Sequence, residues 1–361
     1  MKHLICSVLG AALLCAAGLM AGSAAAAAPP QQQLVWFDND FLGPAGSNIQ
    51  SLIPLLRQPS VKLLGIGVVT GDAWLKEEVQ HTLRFLEIAG VKVPVQPGAV
   101  MPLIRTQAEM RQWEAQYGPV PWKGAWNNAK PGEPWHPDDP ELVPPLPEGA
   151  PTTTASAENA ANAIIRVVHE HPGQVILVAA GPLTNFALAL RMDPQVATLA
   201  KEIVIQGGYL DDAIARVAVD ADYGTDFNFI FDPQAAHIVL TAPWKRVTLV
   251  GDVTTPVKMT KQIADKIGAS GSAVGRYVQK FTTIGQPFWD EITAAVAVDR
   301  TLVKQELVMR MDVDLLPGPF YGMAQVWNEQ QAPHKGEVQV HLVRRIDVPR
   351  FLDTFVAEAS K

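Results

Sequence analysis

Val175-Ile-Leu-Val-Ala179, running into Ala180-Gly-Pro-Leu-Thr-Asn-Phe-Ala187, decides how this chain folds. A short apolar run closed by a Gly-Pro pair is the pattern of a strand buried on both faces. Leu183 to Arg191 then carries apolar residues at helical spacing and stops before Asp193-Pro194. A strand feeding straight into a helix is one repeat of an α/β sheet.

Working outward, the same alternation recurs. Leu34–Phe37, Val61–Val69, Val91–Val95, Ile203–Ile205 and Arg246–Val250 read as strands. Asn48–Leu56 (interrupted by Pro54), Lys76–Ala89 before Gly90, Ser156–His171, Pro233–Leu240 and Ile292–Val298 read as helices. This predicts an α/β fold with an open, doubly wound, mostly parallel, Rossmann-like sheet, which takes its ligand beyond the carboxyl ends of the strands. Gln305 to Val343 adds a small C-terminal β extension, and Val348 to Ala359 a closing helix. From Gly98 to Thr154 the chain is rich in Pro and Trp and poor in periodicity, which predicts a surface insertion near the site. Residues 29–361 are therefore expected to form a single domain carrying an insertion at about 98–154.

Composition removes several classes of function. Of 361 residues, 48% are hydrophobic and 18% charged, which excludes a disordered chain,. Lys and Arg number 29 against 36 Asp and Glu, and no block of like charge suggests a nucleic-acid partner,. Met1-Lys2-His3, the apolar run Leu4–Met20 and the small-residue tract Ala21–Ala28 have the three parts of a signal peptide over residues 1–28,. A membrane anchor is the alternative, but the run is short and meets a cleavage-like tract instead of a charged flank. Cys6 and Cys15 both lie in that segment. The mature chain is expected to be periplasmic or secreted, to lack a membrane anchor, and to use no thiol chemistry.

Chemistry-bearing residues gather at strand ends. Asp38 and Asp40 follow the first strand, and two carboxylates so close repel unless a cation or hydrogen-bond donors offset them,. A turn rich in Asp and Asn is the plainer reading. Ser47-Asn48 and Thr184-Asn185 both suit helix caps. Asp226-Phe-Asn228 and Asp290 complete the set.

In order, these elements make a chain that resembles the inosine-uridine-preferring nucleoside hydrolases from Leu34 onward. The resemblance rests on Asp38 and Asp40, Val178–Ala187, Gly207-Gly208, Asp226-Phe-Asn228 leading to Asp232-Pro-Gln-Ala-Ala-His237, Trp244–Gly251 and Asp290. It implies hydrolysis of the N-glycosidic bond of a ribonucleoside or related riboside, a bound Ca²⁺, and possible homo-oligomers. It further implies that Asp40 is both metal ligand and base for the attacking water. Asn48, Asp290 and the carbonyl of Ala180 match the other metal ligands. Ser47, Asp72, Asp226, Asn228 and Trp289 fall at positions that meet substrate; Asp72 has the alternative of capping the helix after Trp74.

The chain departs from the family pattern Asp-x-Asp-x-x-x-Asp-Asp. Its loop is three residues longer, and Ser47-Asn48 stand where the final acidic pair would be. Trp289 stands where the family often has His; it can stack on a base but cannot protonate it. His81 and His136 are candidate replacements, with a surface position as the plain alternative. Trp113, Trp122, Trp126 and Trp135 could roof a substrate or pack their own loop. A weakly active nucleoside-binding protein on the same scaffold is the alternative function. A metal phosphoesterase would need more His and Asp ligands at the strand ends.

Overall fold

The computed structural model describes residues 32–120, 122–127, 139–210 and 226–361. The leader, Trp135 and His136 lie outside them. The strands are β1 (Gln33–Asn39), β2 (Val61–Val68), β3 (Val95–Pro97), β4 (Val175–Ala179), β5 (Glu202–Gln206), β6 (Val247–Val250), β7 (Val303–Val313), β8 (Ala324–Trp327) and β9 (Val338–Ile346). They form one sheet in the order β3-β2-β1-β4-β5-β6-β9-β7-β8. Pairing is parallel from β3 through to β9 and antiparallel only for β7 with its neighbours β9 and β8. The fold is the α/β sheet that the alternation predicts, and β7 and β8 are its C-terminal extension. Strand order reverses between β1 and β4, so the crevice falls at the ends carrying Asp40 and Ala180.

Helices cover both faces. They are α1 (Gly46–Gln50), α2 (Ile53–Leu56), α3 (Leu75–Ala89), α4 (Gln107–Tyr117), α5 (Ala160–Glu170), α6 (Thr184–Met192), α7 (Gln195–Leu199), α8 (Phe227–Phe231), α9 (Pro233–Leu240), α10 (Lys261–Gly268), α11 (Ala273–Phe281), α12 (Trp289–Val298) and α13 (Val348–Ala359). The pleat sends alternate side chains to opposite layers. Val35 and Phe37 of β1 join one core with Ile49, Leu83, Ile292 and Phe355. Trp36 joins the other with Ile164, Phe186 and Val239. Each such aromatic, fully buried, contributes roughly 1.5–3 kcal/mol. Gln32–Lys361 form one compact unit.

Four sequence expectations need correction. The third strand is Val95–Pro97, not Val91–Val95, because that stretch pairs in register with β2 at Ile66–Val68. The helix expected over Asn48–Leu56 is two short helices, with Pro54 in the first turn of the second. That is where a missing N–H costs least. The insertion is more ordered than its composition suggests: α4 starts on a Thr106–Glu109 capping box,. α10 and α11 also went unread, although Thr260 and Ser272 cap them.

Candidate active site

Asp40 sits just past β1 and is 1% exposed. Its Oδ2 accepts the N–H of Asp72 at 2.9 Å, and its Oδ1 accepts Asn48 Nδ2 at 3.1 Å. The same Asn48 nitrogen donates to the Asp40 carbonyl at 2.7 Å and to Asp72 Oδ2 at 3.1 Å. Trp122 of the insertion donates its indole N–H to Asp72 Oδ1. The backbone must come close to make this cradle. A Cβ on Gly71 would lie 2.2 Å from Asp40 Oδ2, and one on Gly181 would lie 2.6 Å from Asp40 N.

Asp290 enters from the first turn of α12. Packing fixes that turn: Phe288 meets Phe351 and Phe355 at ring distances of 5.5 and 5.1 Å. Asn39 Nδ2 donates to Asp290 Oδ2 at 3.1 Å, and Ser47 Oγ accepts the Asp290 N–H at 2.9 Å. Ser47 in turn donates to Glu291 Oε2 at 2.6 Å. Its hydroxyl is therefore engaged in tying α1 to α12, at a position expected to meet sugar. Trp289 opens α12 and is half-buried.

A second cluster lies one strand over. The Ala180 carbonyl accepts Asn228 Nδ2 at 2.8 Å. Asp226 Oδ2 accepts the N–H groups of Gly208 and Tyr209, while its buried Oδ1 has no hydrogen-bond partner. Gly181, packed against Asp40, joins the two clusters.

Residues that read as caps do other work. α1, α3 and α6 start without a side-chain cap. Asp72 turns to Asn48 and Trp122. Thr184 donates to Asp232, and Asn185 Nδ2 donates to both Asp38 oxygens at 3.1 Å. His81 is not on the surface; it is 2% exposed beneath Gly43, with Glu148 on Nδ1 and Glu77 3.7 Å from Nε2. Burial alone would lower its pKa, but the two glutamates outweigh that and raise it. Trp113 and Trp126 pack the insertion. Trp113 Nε1 donates to Gly318, and the Trp126 ring lies 4.3 Å from that of Phe231.

The electrostatics are one-signed. Burial, followed by the charges of Asp72 and Asp290, pushes Asp40 well above the usual carboxylate range. Asp290 rises to about 8 through burial and the charge of Asp72, against the pull of Asn39. Burial raises Asp38 to about 7 against Asn185 and Trp36, and Asp226 to about 7 against the N–H groups of Gly208 and Tyr209. Glu78 and Glu291, which the sequence reading passed over, are also buried and raised, chiefly by burial. Among the described residues no three acidic, His or Cys side chains make a metal cluster by themselves. The acceptors around Asp40 are oxygens, the carboxylates of Asp40, Asp72 and Asp290, while Asn48 turns its Nδ2 toward them and the Ala180 carbonyl accepts from Asn228. Hard oxygen donors with uncompensated negative charge suit a cation such as Ca²⁺.

Fold and site together define a doubly wound α/β protein with a set of buried carboxylates at the strand ends beside the topological switch point. The chain belongs to the inosine-uridine preferring nucleoside hydrolase family, whose model matches residues 35–353. It is 28% identical to uncharacterized protein C800.11 of Schizosaccharomyces pombe over 97% of this chain and 92% of that protein. It is 24% identical to the pyrimidine-specific ribonucleoside hydrolase RihB of Escherichia coli over 77% of this chain and 83% of that one. In structure it is similar to an inosine-guanosine nucleoside hydrolase, with TM-score 0.71 and 23% identity over 91% of this chain and 99% of that one. Family membership makes the protein an N-ribosyl hydrolase that cleaves the N-glycosidic bond of ribonucleosides.

Proposed function

We propose that the protein is an exported, Ca²⁺-dependent ribonucleoside hydrolase with Asp40 as its base. The supporting observation is the cradle of Asp40, in which Asn48 Nδ2 and the Asp72 N–H hold its carboxylate at the switch point. Asp40, Asp290, the Ala180 carbonyl and, with its amide reversed, the oxygen of Asn48 would hold the ion,. When bound, the ion supplies the positive charge that keeps these carboxylates ionised and makes a nearby water more acidic. Asp40 then takes the proton of the water that attacks C1′ as the bond from C1′ to the base nitrogen breaks, the base leaving with that electron pair and taking a proton from solvent. Asp226 and Asn228 orient the sugar, mainly on its 5′ side, and the half-buried Trp289 and Trp122 offer flat faces to the base.

The test is release of free base and ribose from a nucleoside panel, followed chromatographically before and after chelation. Turnover should stop on chelation and return with Ca²⁺. Full activity in the chelated, metal-free protein would overturn the mechanism. Binding of nucleosides without turnover would favour a binding protein. Export rests on residues 1–28 alone. A mature N-terminus near Pro29 in the periplasm or medium supports it; retention of Met1 in the cytosol would refute it.

A further inference from the structure

The insertion reaches back to the strand ends through one short turn, Gly124–Trp126, which grips the peptide whose N–H supports Asp40. The Gly71–Asp72 peptide is planar, so its carbonyl and its N–H point opposite ways. The N–H donates to Asp40 Oδ2 at 2.9 Å, and the carbonyl accepts the N–H of Ala125 at 2.8 Å. Asn48 serves the other oxygen of Asp40, Oδ1. The peptides on either side have partners of their own. The Gly71 N–H donates to the Ala73 carbonyl at 3.2 Å, and the Ala73 N–H to Glu78 Oε1 at 2.7 Å. Those bonds fix the flanks but leave the middle peptide able to rotate about the line joining its α-carbons, the more so because Gly71 lacks a side chain. Ala125 holds it by the carbonyl, and so aims the N–H.

The fit around this turn is close. Gly124 has φ +53, and a Cβ there would overlap the Gly71 carbonyl oxygen and lie 2.6 Å from Phe227 Cζ. Phe227 precedes Asn228, so the same glycine spaces the Asp72 turn from the helix that carries Asn228. Trp122 adds a second hold, its indole N–H donating to Asp72 Oδ1. Behind the turn, Ala125 and Trp126 share a small core with Trp74, Ile230 and Phe231. Arg105 fastens the start of the insertion to the same place, donating to the Ile230 carbonyl at 2.6 Å.

We propose that residues 122–126 are a positioning element for hydrolysis, in which Ala125 holds the peptide that orients Asp40 and Trp122 holds the Asp72 carboxylate. This rests on the hydrolase reading above. Gly124→Ala forces the turn off Gly71 and should lower kcat about 10²-fold, the weight of a displacement of about 1 Å at a reacting group. Gly118→Ala is its control, because Gly118 also lies in the insertion at positive φ (+103) but has nothing within 4 Å of an added Cβ. It carries backbone strain without the clash and should keep the wild-type kcat. Trp122→Phe keeps a ring and loses the N–H. It should raise KM for nucleosides about tenfold, the weight of one buried hydrogen bond to a charged group, with little change in kcat. Wild-type kcat in folded Gly124→Ala, or an equal fall in Gly118→Ala, would overturn the proposal. So would an unchanged KM in Trp122→Phe, which is the deciding variant should Gly124→Ala fail to fold. A wild type that releases no base from any nucleoside would instead overturn the hydrolase reading, and this proposal with it.

Discussion

Asn48 Nδ2 lies 3.1 Å from Asp40 Oδ1 and 3.1 Å from Asp72 Oδ2, so a neutral amide separates two neighbouring carboxylates. Replacing it with a third carboxylate tests what that neutrality does. Asn48→Asp should lower the melting temperature of metal-free protein, because like charges then meet in a buried place. It should also bind Ca²⁺ about tenfold more tightly, since affinity follows the charge of the ligand set. Thermal melts with and without Ca²⁺, together with calorimetric titration, check both. Unchanged affinity would remove Asn48 from the ion's surroundings.

Asp40→Asn separates catalysis from stability. Loss of a general base should reduce kcat by on the order of 10²–10⁴-fold. Yet the metal-free variant should melt close to wild type, because relief of repulsion from Asp72 and Asp290 offsets the one acceptor that the amide takes from Asn48 or from the Asp72 N–H. Steady-state kinetics and scanning calorimetry give the two readouts, and a variant with kcat within tenfold of wild type would exclude Asp40 as the base.

Ser47→Ala examines the tie between α1 and α12. It removes the acceptor for the Asp290 N–H and the donor to Glu291. The expected cost is about 1–3 kcal/mol in urea denaturation, because both partners stay buried. A change below about 0.5 kcal/mol, the range of an inert surface substitution, would mean that the helices are held by packing alone.

Glu87 gives a pH-dependent prediction away from the site. Burial alone would raise it, but the N–H groups of Thr153 and Thr152 and both hydroxyls bond its carboxylate and bring it from 4.5 to about 2. A depressed folded-state pKa contributes stability that is present above the unfolded value and lost as pH falls toward the folded one. Glu87→Gln should therefore lower stability by about 1 kcal/mol at pH 7. The difference should shrink below about pH 4.5. Melting curves across pH 3–7 check it; a difference independent of pH would refute the assignment.

Much of this was legible in one dimension. Val175–Ala179, Pro233–Leu240 and Val348–Ala359 carry unbroken apolar patterns with clear stops, and the structure keeps those boundaries. What was lost depends on contacts between distant elements. Asn185 looked like a cap because nothing local shows that it reaches back to Asp38 on β1. Glu78 and Glu291 lie in the first turns of α3 and α12, where nothing local sets them apart, and only the packing reveals that both are buried. Glu291, directly after Asp290, was the one with a visible hint. Gln206 and Tyr209 flank a Gly-Gly pair, and only the packing shows that their side chains bond each other.

The cradle around Asp40 is shaped partly by atoms that are missing. At Gly71 and Gly181 the first carbon of any side chain would land within 2.6 Å of Asp40. Such positions cannot drift by small steps, because even one methyl group is too many. Exchange of a carboxylate for an amide of the same size, by contrast, meets no such clash. The vacancies at 71 and 181 should then outlast the carboxylate they frame. In a distant relative, their survival would mark where the cradle had stood after its acids had gone.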